Sequence, residues 1–412
     1  MDFIKKDWKT YLIVIVISII VIAIGRDICS YKVDSKYDLD YYSAKVLTIN
    51  RIEELHNESN DRKIYFTAKV LDGPYKKQIV NAFQKVENTD AYKVRDVKEN
   101  DKIVIIPAKT VGFAEQGIGD DALWTFSLFK TSNYLIILVI LFLLMIIVIG
   151  KWKGINTILA LTITTLLILL VFIPSVLKGY NIYVSTLLCS IYIIISSLLL
   201  INGFNKKTLC AIVGNIFGIL VAAILALIMN KVLNINGLIN ENYIYLSLVN
   251  PEHPIDLRAM IWSGIIIGSL GAIMDVAMAI ASSMHELNEK MKDKSFKSMF
   301  VSGMNIGKDS IGTMANTLIL AYIGCSMSTV LLLFSYNKNL LYLFNIEAII
   351  IEVLQAIIGS IGILFTVPLT AVFSAWIFNR KTKKNQLIWF FFSFTLFYIF
   401  CIFNNFFNFF FS

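Results

Sequence analysis

Apolar residues gather along the chain into nine runs, at about residues 11–25, 134–149, 155–174, 182–201, 209–229, 259–284, 310–334, 346–377 and 387–411. A helix needs roughly 20 apolar residues to cross a hydrocarbon core of about 30 Å, and most of the runs reach or approach that length. From about Ser30 to Ser132 the pattern changes. Tyr41–Ile49, Lys63–Leu71, Gln78–Val86 and Lys102–Ile106 alternate or are β-branched as strands are, and Asp72-Gly73-Pro74 marks a turn between two of them. The pattern predicts an α-helical polytopic membrane protein with about nine transmembrane helices. A small extracytoplasmic β-rich domain, barrel or sandwich, follows the first helix. The expected division is a signal-anchor helix over 1–29, the β-rich domain over 30–132 and a multi-span domain over 133–412.

Composition sharpens this picture: the 412 residues are 57% hydrophobic and 16% charged, well below the quarter that soluble domains carry, which excludes a water-soluble fold. The net charge of +8 lies largely in loops between apolar runs, so it reports topology and not a nucleic-acid surface. Segments 5–9, 151–153, 206–207, 290–308 and 380–384 hold sixteen Lys and Arg, whereas the opposite loops, leaving out the long 30–132 domain, hold four, Lys178, Lys231, Arg258 and Lys338. The positive-inside rule then places the N-terminus in the cytoplasm, residues 30–132 outside and the C-terminus outside. The first run, preceded by Lys5, Lys6 and Lys9, is expected to be an uncleaved signal anchor.

Cys189, Cys210, Cys325 and Cys401 fall in or beside apolar runs and Cys29 just beyond the first, a pattern that writes neither a disulfide framework nor a zinc site. His56, His253 and His285 are scattered, and His285-Glu286 lacks the second histidine of a metalloprotease helix. No metal, cofactor or enzymatic activity is expected.

The candidate chemistry lies at membrane depth. In Gly264–Glu286, Gly264, Gly268, Gly271, Asp275, Ala279 and Ser282 recur every three or four residues, so one helical face carries a carboxylate and three glycines. That face is expected to meet protein, because small residues let helices approach and an intramembrane carboxylate costs roughly 2.5–3.5 kcal/mol. Two readings of Asp275 stand, a hydrogen-bonded packing group and a functional site. The eighth run repeats the pattern with Asn345, Ala348, Glu352, Gln355, Gly359, Gly362 and Thr366 on one face, and Pro368 marks a kink. The seventh offers Asn305, Asp309, Thr313 and Asn316 near its cytoplasmic start, where the helix dipole favours an anion; alternatively Asp309 or Ser310 is simply the N-cap. Gly303-x-x-x-Gly307-Lys308 has one residue too few for a phosphate loop, Asp309 in place of Ser or Thr, and no preceding strand, so nucleotide binding is rejected.

GAIMDVAMAIASSMHEL from Gly271 to Leu287, IGKDSIGTMANTLILAYIG from Ile306 to Gly324, and then Gly359-Ser360-Ile361-Gly362 with Val367-Pro368-Leu369-Thr370 resemble the YibE/F-like family of bacterial multipass membrane proteins. The likeness is clearest from about residue 130 to 380. It implies an eight- or nine-span architecture in a bacterial plasma membrane and carries over no substrate or catalytic residue. The phenylalanine-rich tail from Trp389 to Phe411 is where departure from the family pattern is expected.

Two classes of function follow. One is a secondary transporter or permease for a small ion or metabolite, with spans six to eight packed together so that Asp275, Asn316 and Glu352 share a polar cavity lined by Gln355, Asp309 and Ser282, and with Gly264, Gly268, Gly271, Gly359 and Gly362 packing the helices. Asp275 lies roughly 25 Å along its helix from Arg258, and Glu352 roughly 10 Å from Asn345, so the two acids would exchange protons or bind a cation as a staggered relay. The other class is a non-transporting scaffold that works through its β domain. Besides the lipid bilayer, the expected partners are a homo-oligomer or a protein held by the extracytoplasmic domain, with no nucleic acid.

Overall fold

The computed structural model describes residues 2–29, 40–54, 61–86, 94–107, 124–239, 241–250, 253–290, 295–336 and 339–379. The ninth apolar run, the 291–294 loop, the 380–384 basic segment and Cys401 lie outside the described residues. Contacts divide the chain into two compact units, residues 32–148 and residues 1–31 with 149–412.

Among the described residues the first unit contains five strands, β1 (Tyr42–Glu54), β2 (Arg62–Val70), β3 (Ile79–Val86), β4 (Lys102–Pro107) and β5 (Trp124–Phe129). They close into a barrel in the order β1-β2-β3-β5-β4, antiparallel throughout except where β3 runs parallel to β5. This is the connectivity of an OB-type Greek-key barrel. β1 is long enough to pair with both β2 and β4, and two register shifts, after Val46 and after Ile49, bend it to do so. Alternate residues point inward, and Ala44, Val46, Phe66, Ala68, Val70, Ile103, Ile105 and Trp124 form the core. Gln84 is also buried, where it donates to Arg95 O at 2.9 Å and accepts from Val97 N at 2.8 Å, tying the chain before β4 to β3. Asp72 of the expected turn accepts from Ser43 N at 2.7 Å, and Gly73 adopts the left-handed φ of 69° that the turn demands. β5, whose short WTFSLF stretch has no clear alternation, is absent from the sequence expectation and completes the barrel.

The remainder is helical. α1 is Asp2–Cys29. α2 (Ser132–Leu167) continues through a π turn at Ile168–Phe172 into α3 (Ile173–Leu177). At 46 residues this continuous stretch would be about 69 Å long, twice a bilayer, but Lys151 breaks it with φ 48° and ψ −124°. The break falls in the polar Lys151-Trp152-Lys153 step, so the second and third apolar runs are two helices. There follow α4 (Ile182–Asn202), α5 (Lys206–Val232), α6 (Glu241–Leu248), α7 (Leu257–Lys290), α8 (Phe296–Tyr336), α9 (Leu340–Leu343) and α10 (Glu347–Asn379). Asn181 and Asn205 cap α4 and α5 by accepting from Val184 N and Thr208 N. Among the described residues, seven helical stretches are long and apolar enough to cross a membrane, the broken α2–α3 stretch counting as one.

α8 corrects one expectation. It begins at Phe296, with Ser295 Oγ accepting from Ser298 N at 3.3 Å, more than three turns before Asp309. Asp309 and Ser310 are therefore inside a helix. Neither caps it, Ser310 instead donates to Ile306 O, and no helix N-terminus is available there for an anion. The Gly303–Lys308 segment is likewise helical and forms no loop.

Candidate functional site

α5, α7, α8 and α10 pack together, with α10 against each of the other three. The contacts are made where glycine faces a larger side chain. A Cβ on Gly359 would meet Leu318 Cδ2 at 2.7 Å and Ser269 Cβ at 3.2 Å, and one on Gly362 would meet Ile273 Cδ1 at 2.9 Å. Gly303 is closed by Met284 and Ala371, Gly307 by Val367 and Ile280, Gly214 by Thr370 and Gly218 by Thr366. These are the close approaches that small residues permit where lipid supplies no hydrophobic drive.

The glycines of α7 behave differently. Ile265, Ser269, Ile273, Ala277, Ile280 and Met284 form the buried face of α7, while Gly264, Gly268, Gly271, Asp275 and Ala279 lie on the adjoining face and are exposed. The expectation that this stripe meets protein is corrected: branched aliphatics fill the interhelical seam and the glycines lie exposed beside it. A Cβ at Gly271 would meet nothing within 4 Å, one at Gly264 would lie 3.7 Å from Gln355 Nε2, and Gly268 is approached by the hydroxyl of Tyr322. That hydroxyl is buried without a hydrogen-bond partner. Glu352 is half-buried, and its carboxylate lies within electrostatic reach of Tyr322 and Tyr243. Asp275 makes no hydrogen bond among the described residues.

The helix register separates these groups. α7 and α10 run in parallel, with Gly264 beside Gln355, Ser269 beside Gly359 and Ile273 beside Gly362, which sets Asp275 level with about Leu364. Twelve residues on a helix are about 18 Å, so Asp275 and Glu352 occupy different levels and do not share one cavity. Asn316 is exposed and lies about 200° around α8 from both Met314 and Leu318, away from the seam. Asp309 is exposed on α8, and Ser282 is half-buried further along α7. The structure thus brings together Glu352, Gln355, Tyr322, Gly264 and Gly268, leaves Asp275 some three turns deeper on the same open face, and keeps Asn316 and Asp309 apart from both.

A second polar layer lies between α5 and α10. Asn215, Thr370 and Ser374 are fully buried, and Asn215 Oδ1, Thr370 Oγ1 and Ser374 Oγ have no hydrogen-bond partner. Most other buried hydroxyls on these helices donate to the carbonyl three or four residues back, as Thr366 does to Gly362 O at 2.7 Å and Ser360 to Ala356 O at 2.8 Å. Thr370 points instead across the seam at Gly214, and Ser374 sits beside the Cys210 thiol without adequate hydrogen-bond geometry. Buried polar atoms of this kind ordinarily hold water or a ligand. A search of the spans for formal charge passes over them; the readable signal was Gly214-Asn215-x-x-Gly218, an amide between two small residues in an otherwise apolar run.

Among the described residues, no three His, Cys, Asp or Glu side chains are grouped to hold a metal, and His285 pairs only with Glu289, at 3.7 Å. A family profile described as YibE/F-like protein matches residues 138–380, more than half of the chain. The chain belongs to the YibE/F-like family. The match covers both polar layers and stops short of the barrel, so the YibE/F-like region is the helical part. Comparison with curated proteins and with solved structures finds no match. Family membership and the long apolar helices make this a membrane protein.

Proposed function

We propose that the protein is a secondary transporter or permease of the bacterial plasma membrane, moving a small ion or metabolite past the open polar face of α7. The observation that carries this reading is that Asp275 and three glycines stay uncovered on α7 while Tyr322 and Gln355 approach the same face from α8 and α10. A carboxylate retained only as packing glue would be covered by a neighbouring helix and hydrogen-bonded to it; Asp275 is neither. Intramembrane ionisable residues facing a cavity mark ion and substrate pathways. In this reading Glu352 receives the ion nearer the end of the bundle that the basic loops assign to the outside, Asp275 passes it inward, and the protein needs no cofactor and is not an enzyme. A second reading, a scaffold acting through the barrel, is favoured by the barrel's separate core and its position outside the family match.

The test is flux in proteoliposomes under imposed proton and Na⁺ gradients, after thermal stabilisation has been used to screen ions and small metabolites for binding. Asp275→Asn should abolish flux while leaving membrane abundance and thermal unfolding unchanged, and Glu352→Gln should reduce it. Full flux in Asp275→Asn would refute the pathway and leave the scaffold reading standing.

A further inference from the structure

The barrel surface carries a pattern that strand alternation reveals only once the register is known. Three strands, β1, β2 and β3, present their outward residues in four cross-strand rows. Lys45 stands opposite Lys69 in the first, Thr48 opposite Thr67 in the second, Arg51 opposite Tyr65 in the third, and Glu53 opposite Lys63 in the last, where Lys85 follows on β3. Among the described residues, the β1–β2 part of this face sets four cations, Lys45, Arg51, Lys63 and Lys69, against the single carboxylate of Glu53. Arg51 is held in place, 2.6 Å from Glu53 and stacked 4.8 Å over the Tyr65 ring, yet its side chain remains 60% exposed. Between the charged rows, Asn50 donates to Thr67 Oγ1 at 2.9 Å and lies 3.3 Å from Thr48 Oγ1, a small cluster of amide and hydroxyl groups on the surface. Phe83 is buried beside Tyr65, so the open part of the face is its β1–β2 side.

In OB-type barrels the strand 2–3 face is a recognition surface for oligonucleotides and oligosaccharides. Single-stranded nucleic acid needs aromatic platforms on which bases stack. Here Tyr65 is the one outward aromatic not fully buried in these rows, and the Arg51 guanidinium already covers it. What remains is a strip of cations alternating with hydroxyl and amide groups, about 20 Å long from Lys69 to Lys63 at 3.4 Å per residue. Cations bind carboxylate or phosphate through charge-assisted hydrogen bonds, and neutral hydroxyl and amide groups bind sugar hydroxyls.

We propose that the β1–β2 side of this face binds an anionic oligosaccharide, with Lys45, Lys63 and Lys69 holding its acidic groups and Asn50 and Thr67 its hydroxyls. Arg51 and Tyr65 form the floor between them. The source of such a polymer outside the cell rests on the outward placement of residues 30–132, but binding itself does not, because both faces of a nanodisc are open to solution. Failure of the topology and failure of the site are therefore separable.

The experiment uses the full chain in zwitterionic nanodiscs and a fluorescent polyuronate hexasaccharide, read by anisotropy at two salt concentrations. A neutral hexasaccharide of equal length serves as the control, and flotation with vesicles containing anionic phospholipid tests a lipid surface as the occupant. Binding to the polyuronate should exceed binding to the neutral sugar and weaken with salt. Lys63→Gln with Lys69→Gln should weaken it about tenfold, and the charge-matched pair Lys76→Gln with Lys98→Gln, which lies off these rows, should leave it within about threefold. Equal loss in both pairs, equal affinity for the neutral sugar, no binding, or a Lys63 and Lys69 dependence seen only with anionic vesicles would each overturn the proposal.

Discussion

Replacing Gly214 by alanine should destabilise the helical unit, whereas replacing Gly271 should not, although the sequence makes Gly271 the more conspicuous of the two. At Gly214 a new Cβ would run into Thr370 Oγ1, stand 2.9 Å from Thr370 Cβ and lie 3.2 Å from its Cα. The last contact is backbone, so rotating Thr370 cannot relieve it and α5 must move from α10. Overpacking of this kind costs about 1–3 kcal/mol, against the fraction of that gained from alanine's better helix propensity. At Gly271 nothing lies within 4 Å of the new Cβ, so only the propensity gain remains, about 0.8–1.0 kcal/mol. Thermal unfolding of the purified protein in detergent, followed by tryptophan fluorescence, should therefore rank Gly271→Ala at or above the parent and Gly214→Ala below it. Thr370→Gly placed in the Gly214→Ala chain removes the colliding side chain and should restore part of the loss, a coupling that a double-mutant cycle measures. If Gly214→Ala unfolds with the parent, or if Gly271→Ala is the more damaging, the assignment of the seam to α5–α10 and the uncovered face to α7 is wrong.

Three further outcomes are expected. Trp262→Phe removes the hydrogen bond from Trp262 Nε1 to Ala223 O at 2.9 Å in a fully buried site and should cost about 1–3 kcal/mol, seen as a lowered unfolding midpoint. Gln84→Leu leaves Arg95 O and Val97 N without their shared partner, and hydrogen exchange at Val97 should accelerate while exchange in α7 is unchanged. A cysteine at position 294 should react with impermeant reagent only after the membrane is opened, and one at Asn50 should react in intact cells; the reverse pattern would invert the topology inferred from the basic loops.

The apolar periodicity predicts the helices well because span length and loop charge are local properties, and even the break at Lys151 falls in the polar step between two runs. Three of the five strands are matched to within one residue at either end, but β1 runs five residues beyond the alternation that predicts it, since its bends serve pairing with two neighbours. The site was less legible. Spacing places Gly264, Gly268, Gly271 and Asp275 on one face of α7 but cannot say whether a neighbour covers that face, and the branched aliphatics 100° away pack better. Nor does spacing fix register between helices, which is why the separation of Asp275 from Glu352 by about 18 Å, and the turn of Asn316 away from the seam, emerge only from the contacts along α10. The start of α8 was misplaced because Phe296–Lys308 is too polar to register as part of an apolar run while remaining entirely compatible with helix.

These particulars converge on α10. One face of this helix carries Thr366 and Thr370 against Gly218 and Gly214 of α5, with Ser374 one turn further on, and another carries Glu352 and Gln355 toward the open side of α7 and α8. The helix continues from Glu347 to Asn379 through Pro368, which lacks the amide that would bond the carbonyl four residues earlier. Pro368 falls between the open-side residues and the unpartnered hydroxyls: Glu352 and Gln355 precede it, whereas Thr370 and Ser374 follow. Any displacement that brings the first half of α10 closer to α7 therefore bends at a point already short of one hydrogen bond, and the unpartnered Thr370 and Ser374 hydroxyls have little polar bonding to lose when α10 shifts against α5. In the transport reading these two polar layers are coupled through one helix, and Pro368→Ala, by restoring the missing bond, should leave the protein folded and at least as stable while slowing flux. A Pro368→Ala variant with undiminished flux would show that the two layers act independently and that α10 serves only as their common wall.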